Sequence, residues 1–335
     1  MPSELLRQHP DELTVLTGLA AEHLGIDPAF VEKDFWVTEV LRAVTIEHTI
    51  ADLDGMDHAV DVIFKGGTSL SRVYGITERF SEDVDVLLSF PIRSTPGARH
   101  GVIKAKCEAA RTHLRLAEQS TRIFNSTTGV KRSVRYTYPA YPAQAHSGDI
   151  TTGVLLELGS RGGTEPVRQR ELRSMLAAHA LEQLNHSPDE WAEYEPVKVS
   201  ALAPERTLLE KLSHLHSAGR MAAEGDDTQL SRGGRHLYDV YRLLTDDNTV
   251  AALNAMGEDG VLALCTDIAQ RSEAGDWVVD PRPGGGYASG VLYHGDPAIA
   301  AIAASAYHRA EGLIWGYVPT LDQCLSKVGE FRGLL

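Results

Sequence analysis

The chain has 335 residues, 43% of them hydrophobic and 23% charged, which suits a globular protein large enough for two subdomains. No apolar run approaches the ~18 residues that a membrane span needs, and the N-terminal MPSELLRQHP has no signal-peptide core. Three widely spaced cysteines (Cys107, Cys265, Cys324) predict neither a disulfide framework nor a zinc site, so a reducing cytoplasm is expected, and a net charge of −14 argues against a general nucleic-acid coat protein.

Apolar residues at helical spacing predict a helix over Asp11–Leu24, ended by Gly25, and a second over Pro28–Ile46 with its proline near the start. Glu47–His58 reads as a polar, irregular insert. Val60–Phe64 is a buried strand, Leu70–Tyr74 a short helix and Ser81–Leu88 a second strand. After a loop at Pro91–Gly97, a helix is expected over Ala98–Leu116, then strands at Thr121–Ser126, Ser133–Tyr138 and Thr152–Leu158, with PAYPAQAHSG as a loop before the last. Gln169–Leu184, Pro204–Ala218, Gly234–Leu244, Val250–Ala269 and Ala298–Leu313 read as helices. NHSPDEWAEYEP is an acidic linker; Gly219–Gly233 and Asp280–Gly295 are loops. The fold class is therefore α+β, with a sheet-containing part over residues 1–160 and a mainly helical part over 161–335.

The stretch FKGGTSLSRVYGITERFSEDVDVLL (Phe64–Leu88) carries the strongest chemical signal. Side chains two apart on a strand share a face, so Asp83 and Asp85 stand together. Two such carboxylates are costly side by side unless a cation lies between them. A Mg²⁺-type ion takes one or two carboxylates plus phosphate oxygens. Gly66 and Gly67 permit close backbone approach to phosphate, Thr68 and Ser69 offer hydroxyls, and Lys65 and Ser81 flank the motif. The pattern points to metal-assisted attack on a nucleoside triphosphate. A tight turn with a capping hydroxyl, beside an acidic strand end, is the plainer alternative for each half taken alone.

A Gly-Gly-Thr/Ser turn followed by Asp-x-Asp on the next strand resembles the polymerase-β-type nucleotidyltransferases. The longer string, Lys65-Gly66-Gly67-Thr68-Ser69-Leu70 through Arg79-Phe80-Ser81-Glu82-Asp83-Val84-Asp85, resembles the AbiEii/AbiGii toxin family, which includes the MenT toxins. Thr207–Leu212 is similar to that family's Glu-Lys motif, Arg235–Leu243 to its Tyr-Asp motif, and Val31–Trp36 to its opening helix. The resemblance spans about residues 28–245; the rest matches no motif.

The resemblance implies a small mixed sheet with flanking helices, followed by a mainly helical half that contributes Lys211 and Asp239 to the site. It implies Lys211 as a phosphate-binding lysine and Asp239 as an essential aspartate, with Arg235 assisting. Read from the residues alone, Lys211 is a snorkelling lysine beside an apolar stripe. Asp239 is one half of an intrahelical ion pair with Arg235 or Arg242. Glu157, an acid in an otherwise apolar strand, needs a partner if buried; by resemblance it is the third carboxylate, as metal ligand or base. Its alternative is a solvent-facing place on an edge strand. Asp149, Lys33 and Asp34 are weaker candidates. His214, His216 and His236 lack the spacing of a helical zinc site.

The implied reaction is transfer of NMP from an NTP with Mg²⁺, or Mn²⁺, to an RNA acceptor, the tRNA 3′ end, by a toxin of a toxin–antitoxin or phage-defence pair with a cognate antitoxin. Ala98–Arg135 holds nine lysines and arginines against two glutamates, a net +7 suited to RNA, although a solvated helix face explains it equally. A protein or small-molecule hydroxyl as acceptor, or a silent nucleotide- or partner-binding module, are the competing readings.

Overall fold

Prolines and side-chain caps fix the first helices. Helix α1 (Pro10–Leu24) opens on Pro10 with Asp11 and Glu12 in its first turn and stops at Gly25, whose φ of +67° is left-handed. Helix α2 (Pro28–Val44) is capped by Asp27, which accepts a hydrogen bond from the Ala29 amide at 2.8 Å. The computed structural model describes residues 4–81, 83–139, 153–273, 279–294 and 296–335. Asp149, Thr152 and most of the expected loop over 139–148 lie outside the described residues.

Two compact units form, and neither is contiguous in sequence. One comprises Met1–Thr68, Glu82–Ser160 and Arg168–Ala201; the other comprises Ser69–Ser81, Arg161–Val167 and Leu202–Leu335. After α2 come β1 (Thr49–Ala51) and β2 (Asp57–Ala59), a small antiparallel pair inside the stretch expected to be irregular. Then follow β3 (Asp61–Lys65), α3 (Gly66–Arg72), β4 (Asp83–Ser89), α4 (Pro96–His113), β5 (Thr121–Thr127), β6 (Lys131–Tyr136), β7 (Val154–Gly159), β8 (Val167–Leu172), α5 (Met175–Glu182) and β9 (Val197–Leu202). The seven larger strands form one mixed sheet in the order β5-β6-β7-β4-β3-β9-β8. Strand β4 runs antiparallel to β3 and parallel to β7.

One face of this sheet is the core of the first unit. Val84, Val134, Tyr136, Leu156 and Leu158 are buried there. Helix α2 packs on β4 and β7, and α4 on β6, where the Tyr136 hydroxyl donates to the Cys107 carbonyl at 2.8 Å. Helix α2 is buried nearly all round, charged residues included. Glu39 meets Arg42 at 3.0 Å and Arg7 at 3.3 Å, and its oxygen lies 2.7 Å from His113 Nε2. Burial alone would raise the Glu39 carboxyl, but His113, Arg42 and Arg7 bring it below the usual range. Lys106 donates to the Val44 carbonyl at 2.8 Å at the end of α2, and burial lowers its ammonium to about 8.

The second unit is built around α6 (Pro204–Ala223), with α7 (Thr228–Arg232), α8 (Gly234–Thr245), α9 (Asp247–Glu273), α10 (Pro297–Glu311) and α11 (Leu321–Gly329). Leu208, Leu212 and Leu215 pack with Leu237, Val240 and Leu243 in its core, each side chain worth about 1.5–3 kcal/mol on burial. Helix α9 carries a non-helical Gly257 (φ +68°). Among the described residues no helix is long and apolar enough to cross a membrane.

The expected helix over Gln169–Leu184 is corrected. Residues to Leu172 are strand, and the helix starts at Met175, behind Ser174, whose hydroxyl accepts from the Ala177 amide. A serine N-cap interrupts what reads as one apolar stripe. Strand β9, with its alternating VKVSAL, and helix α11, with a Thr320/Gln323 capping box, are further elements.

Candidate active site

The carboxylate face is the sheet face opposite the buried one. Registered neighbours across a sheet share a face, and two rows result in the first unit. Lys65, Asp85, Glu157 and Ser133 form one; Asp83, Leu155 and Arg135 form the next. Asp83, Asp85, Glu157 and Lys65 are all half-buried, while Val84, Val86 and Leu88 between or beyond them are buried. The alternation expected for β4 therefore holds, with one difference: the strand begins at Asp83, so Ser81 precedes it.

Gly66 opens α3 with φ +80°, and a Cβ built on it would collide with the Asp85 carboxylate. Only glycine meets both conditions. The backbone of the turn thus lies directly against the second carboxylate. Thr68 is buried, and its hydroxyl donates to the Asp83 main-chain oxygen at 2.5 Å, fastening the turn to the strand. Gly67 follows Gly66 inside α3, and Ser69 is fully buried.

Glu157 sits on β7, between β6 and β4, so the edge-strand reading is overturned. Its carboxylate accepts from the Ser133 hydroxyl at 2.8 Å and faces Lys131 Nζ at 3.4 Å. The donor set on this face is oxygen-only, which suits a hard cation such as Mg²⁺ rather than zinc. Asp83 and Asp85 are the residues that would hold such a cation, which would supply charge neutralisation to a phosphate. Among the described residues no group of three or more His, Cys, Asp or Glu is placed to hold a metal by itself.

Lys211 and Asp239 meet in the second unit. Asp239, on α8 and fully buried, receives both arms of the Arg79 guanidinium, at 2.6 and 2.7 Å, and lies 2.7 Å from Lys211 Nζ. Burial would raise its carboxyl, but Arg79 and Lys211 hold it far below the usual range. Lys211 is a buried ion-pair partner, not a snorkelling surface lysine. It also donates to His236 Nδ1 at 3.2 Å. Burial first, then the Lys211 charge, push the His236 imidazolium well down, so this ring is neutral and can accept that bond. His214 packs edge-on against His236 and is lowered for the same two reasons.

The intrahelical pairs expected for Asp239 do not form. Arg242 instead pairs with Glu78, and Arg235 is half-buried. Sequence reading missed Arg79, although it lies within the string quoted for the family resemblance. Its only signal was its place between turn and carboxylate strand. Lys33 is buried in α2, and Asp34 accepts from the Met175 amide at 2.6 Å, joining α2 to α5.

A family model for the nucleotidyl transferase AbiEii toxin of type IV toxin–antitoxin systems matches residues 51–271, more than half of the chain. The chain belongs to the AbiEii nucleotidyl transferase toxin family. No curated protein matches it. The AbiEii match covers the glycine turn, both carboxylates, Glu157, Lys211 and Asp239. Membership implies a nucleotidyltransferase toxin with an NTP substrate and an antitoxin partner. The mixed seven-stranded sheet with its helices, and the helical second unit, are consistent with an AbiEii nucleotidyltransferase-type core and accompanying helical part.

Proposed function

We propose that this AbiEii-family protein transfers a nucleoside monophosphate from an NTP to an RNA hydroxyl, the 3′ end of a tRNA, as a toxin of a toxin–antitoxin or phage-defence pair acting in the cytoplasm. The observation that carries the chemistry is the contact of the Gly66 backbone with Asp85 on the face that Asp83 shares. It brings a side-chain-free stretch of backbone to two carboxylates, as a triphosphate and its cation require.

Asp83 and Asp85 would hold a divalent cation of the Mg²⁺ or Mn²⁺ type, with Glu157 as a candidate third ligand. When bound, that cation supplies charge neutralisation on the triphosphate and acidifies the acceptor hydroxyl. The chain's own residues position and neutralise. The Gly66-Gly67 backbone, flanked by Lys65 and Ser81, cradles the phosphates, with the buried Thr68 and Ser69 holding the turn in place. Glu157, kept in place by Ser133 and Lys131, takes the proton of the attacking hydroxyl. That oxygen bonds to the α-phosphorus as the bond to pyrophosphate breaks. We assign Lys211, with Arg235, to neutralising the leaving pyrophosphate, and Asp239 to orienting Lys211.

The test is incubation of the purified protein with Mg²⁺, each α-³²P NTP in turn and total tRNA, beside Asp83→Ala. Label on tRNA that vanishes in the variant supports the reading and names the nucleotide. Label on protein moves the acceptor to a protein hydroxyl. No label on any acceptor, with folded protein, overturns it in favour of a silent binding module.

A further inference from the structure

The basic stretch 98–135 divides in two. On α4, Lys106 is buried against the Val44 carbonyl at the end of α2, and Arg111 is paired with Glu108 within α4, so both cations have structural partners. The β5–β6 hairpin is different. Its strands, TRIFNST and KRSVRY, contain four cations and no acid.

Strand pairing extends the carboxylate face onto this hairpin. Arg122 faces Arg135, which faces Leu155, which faces Asp83; Asn125 continues the adjoining row through Ser133 and Glu157 to Asp85. Between Ile123 and Asn125 the register slips, leaving Phe124 as an extra residue without a cross-strand partner. A bulge re-aims a side chain, and here it turns the ring toward Arg122 and Arg135. Their guanidinium carbons lie 4.9 and 5.0 Å from the Phe124 centroid. The ring is 49% exposed. Arg135 Nε, buried, finds no hydrogen-bond acceptor among the described residues. Three inter-strand steps separate β5 from β4, about 14 Å at the usual spacing.

We infer that Phe124 with Arg122 and Arg135 forms a stacking platform for an unpaired base near the 3′ end of the acceptor RNA. This rests on the RNA reading above and names the surface that would read it. An exposed ring stacks a base, and guanidiniums either take the flanking phosphates or stack in turn. A duplex hides its base faces, so the fit is to single-stranded RNA. Strand β5 is also a sheet edge, but the bulge interrupts the continuous ladder that an added protein strand would need.

The test uses the full-length protein and a short fluorescent single-stranded RNA with a free 3′-hydroxyl. Binding is followed by anisotropy and transfer by label incorporation, for wild type, Phe124→Ala, Phe124→Trp and the double variant Arg122→Gln/Arg135→Gln. Loss of stacking should weaken RNA binding by Phe124→Ala roughly 5- to 100-fold, seen in KM for RNA rather than kcat, while Phe124→Trp retains it. The double variant should flatten the log–log salt dependence by about 1.4, two single-strand phosphate contacts. Equal RNA affinity and KM in all four proteins overturn the platform and leave the RNA reading standing. A wild type that neither binds nor labels RNA overturns both. Loss of a protein partner's binding in Phe124→Ala, with RNA kinetics intact, assigns this edge to protein and overturns the platform.

Discussion

Asp239→Ala is the substitution whose cost the geometry defines most closely. Asp239 is fully buried, Arg79 nearly so, and the lysine that completes the triad is 8% exposed. Removing the carboxylate takes away the buried counter-charge that the Arg79 guanidinium meets at 2.6 Å and the Lys211 ammonium at 2.7 Å. Breaking such a buried pair costs about 3–5 kcal/mol, against a total stability of about 5–15 kcal/mol. At about 2–4 °C per kcal/mol the melting temperature should fall by roughly 6–20 °C. The pH dependence follows from the sign of the shift. The folded-state pKa of Asp239 lies below its unfolded value of about 3.9. Its contribution is therefore complete above that value and is lost as pH falls toward the folded one. Wild type should lose melting temperature steeply below about pH 4, and Asp239→Ala should lose less. Replacing the whole triad, with Arg79→Met, Lys211→Met and Asp239→Leu, should recover most of the stability but abolish nucleotidyl transfer. Calorimetry across about pH 2.5–8, which brackets the unfolded carboxyl, checks the stabilities, and label transfer from an α-³²P NTP checks the activity. Melting of Asp239→Ala within about 2 °C of wild type, or a triple variant as unstable as the single, would refute the reasoning.

Gly66→Ala must place a Cβ at φ +80° against the Asp85 carboxylate. The backbone costs roughly 1–2 kcal/mol, which should lower the melting temperature by about 2–8 °C, and displacement of the carboxylate should lower label transfer about 100-fold. Glu39→Gln strips the shared counter-charge from Arg7, Arg42 and His113. It should cost about 3 kcal/mol in urea titration at neutral pH, with the difference from wild type shrinking as pH falls below about 4, since the Glu39 carboxyl is lowered by folding. Arg206→Met removes ion pairs to Glu210 at 3.0 Å and Asp267 at 2.7 Å and a 2.6 Å bond to the Glu165 carbonyl. Both acids are partly exposed and can rehydrate, so the cost should be about 2–3 kcal/mol, read from the same titration.

What was legible in the sequence was local. The Gly-Gly turn and Asp83-Val84-Asp85 announce themselves because turn, helix and strand follow within 25 residues, and backbone freedom and period-2 alternation are read over that range. The capped helices α1 and α2 are legible for the same reason. The sheet order is not local: β7 and β9 join β4 and β3 from far along the chain. The place of Glu157 in the middle of the sheet, and the bulge that frees Phe124, depend on that pairing.

Asp239 shows why spacing alone misassigns a partner. Arg235 and Arg242 stand at i−4 and i+3 on α8, where exposed helix pairs are common. A fully buried carboxylate asks for more than proximity: its partner must be desolvated with it and must fill both oxygens, or burial costs more than the pair returns. Arg79 meets that demand with two parallel bonds. Its neighbour Glu78 pairs with Arg242, and the Glu78 amide donates to the Tyr238 hydroxyl at 3.1 Å. The consecutive acid and base of Glu78-Arg79 are thus matched crosswise by the base and acid of Arg242 and Asp239. Exchanging the acid and the base of Glu78-Arg79 with each other would set like charge against like at both Arg242 and Asp239. The segment between turn and carboxylate strand is therefore locked onto α8 by charge order as well as by apolar packing, a constraint spread over 160 residues that no local pattern displays.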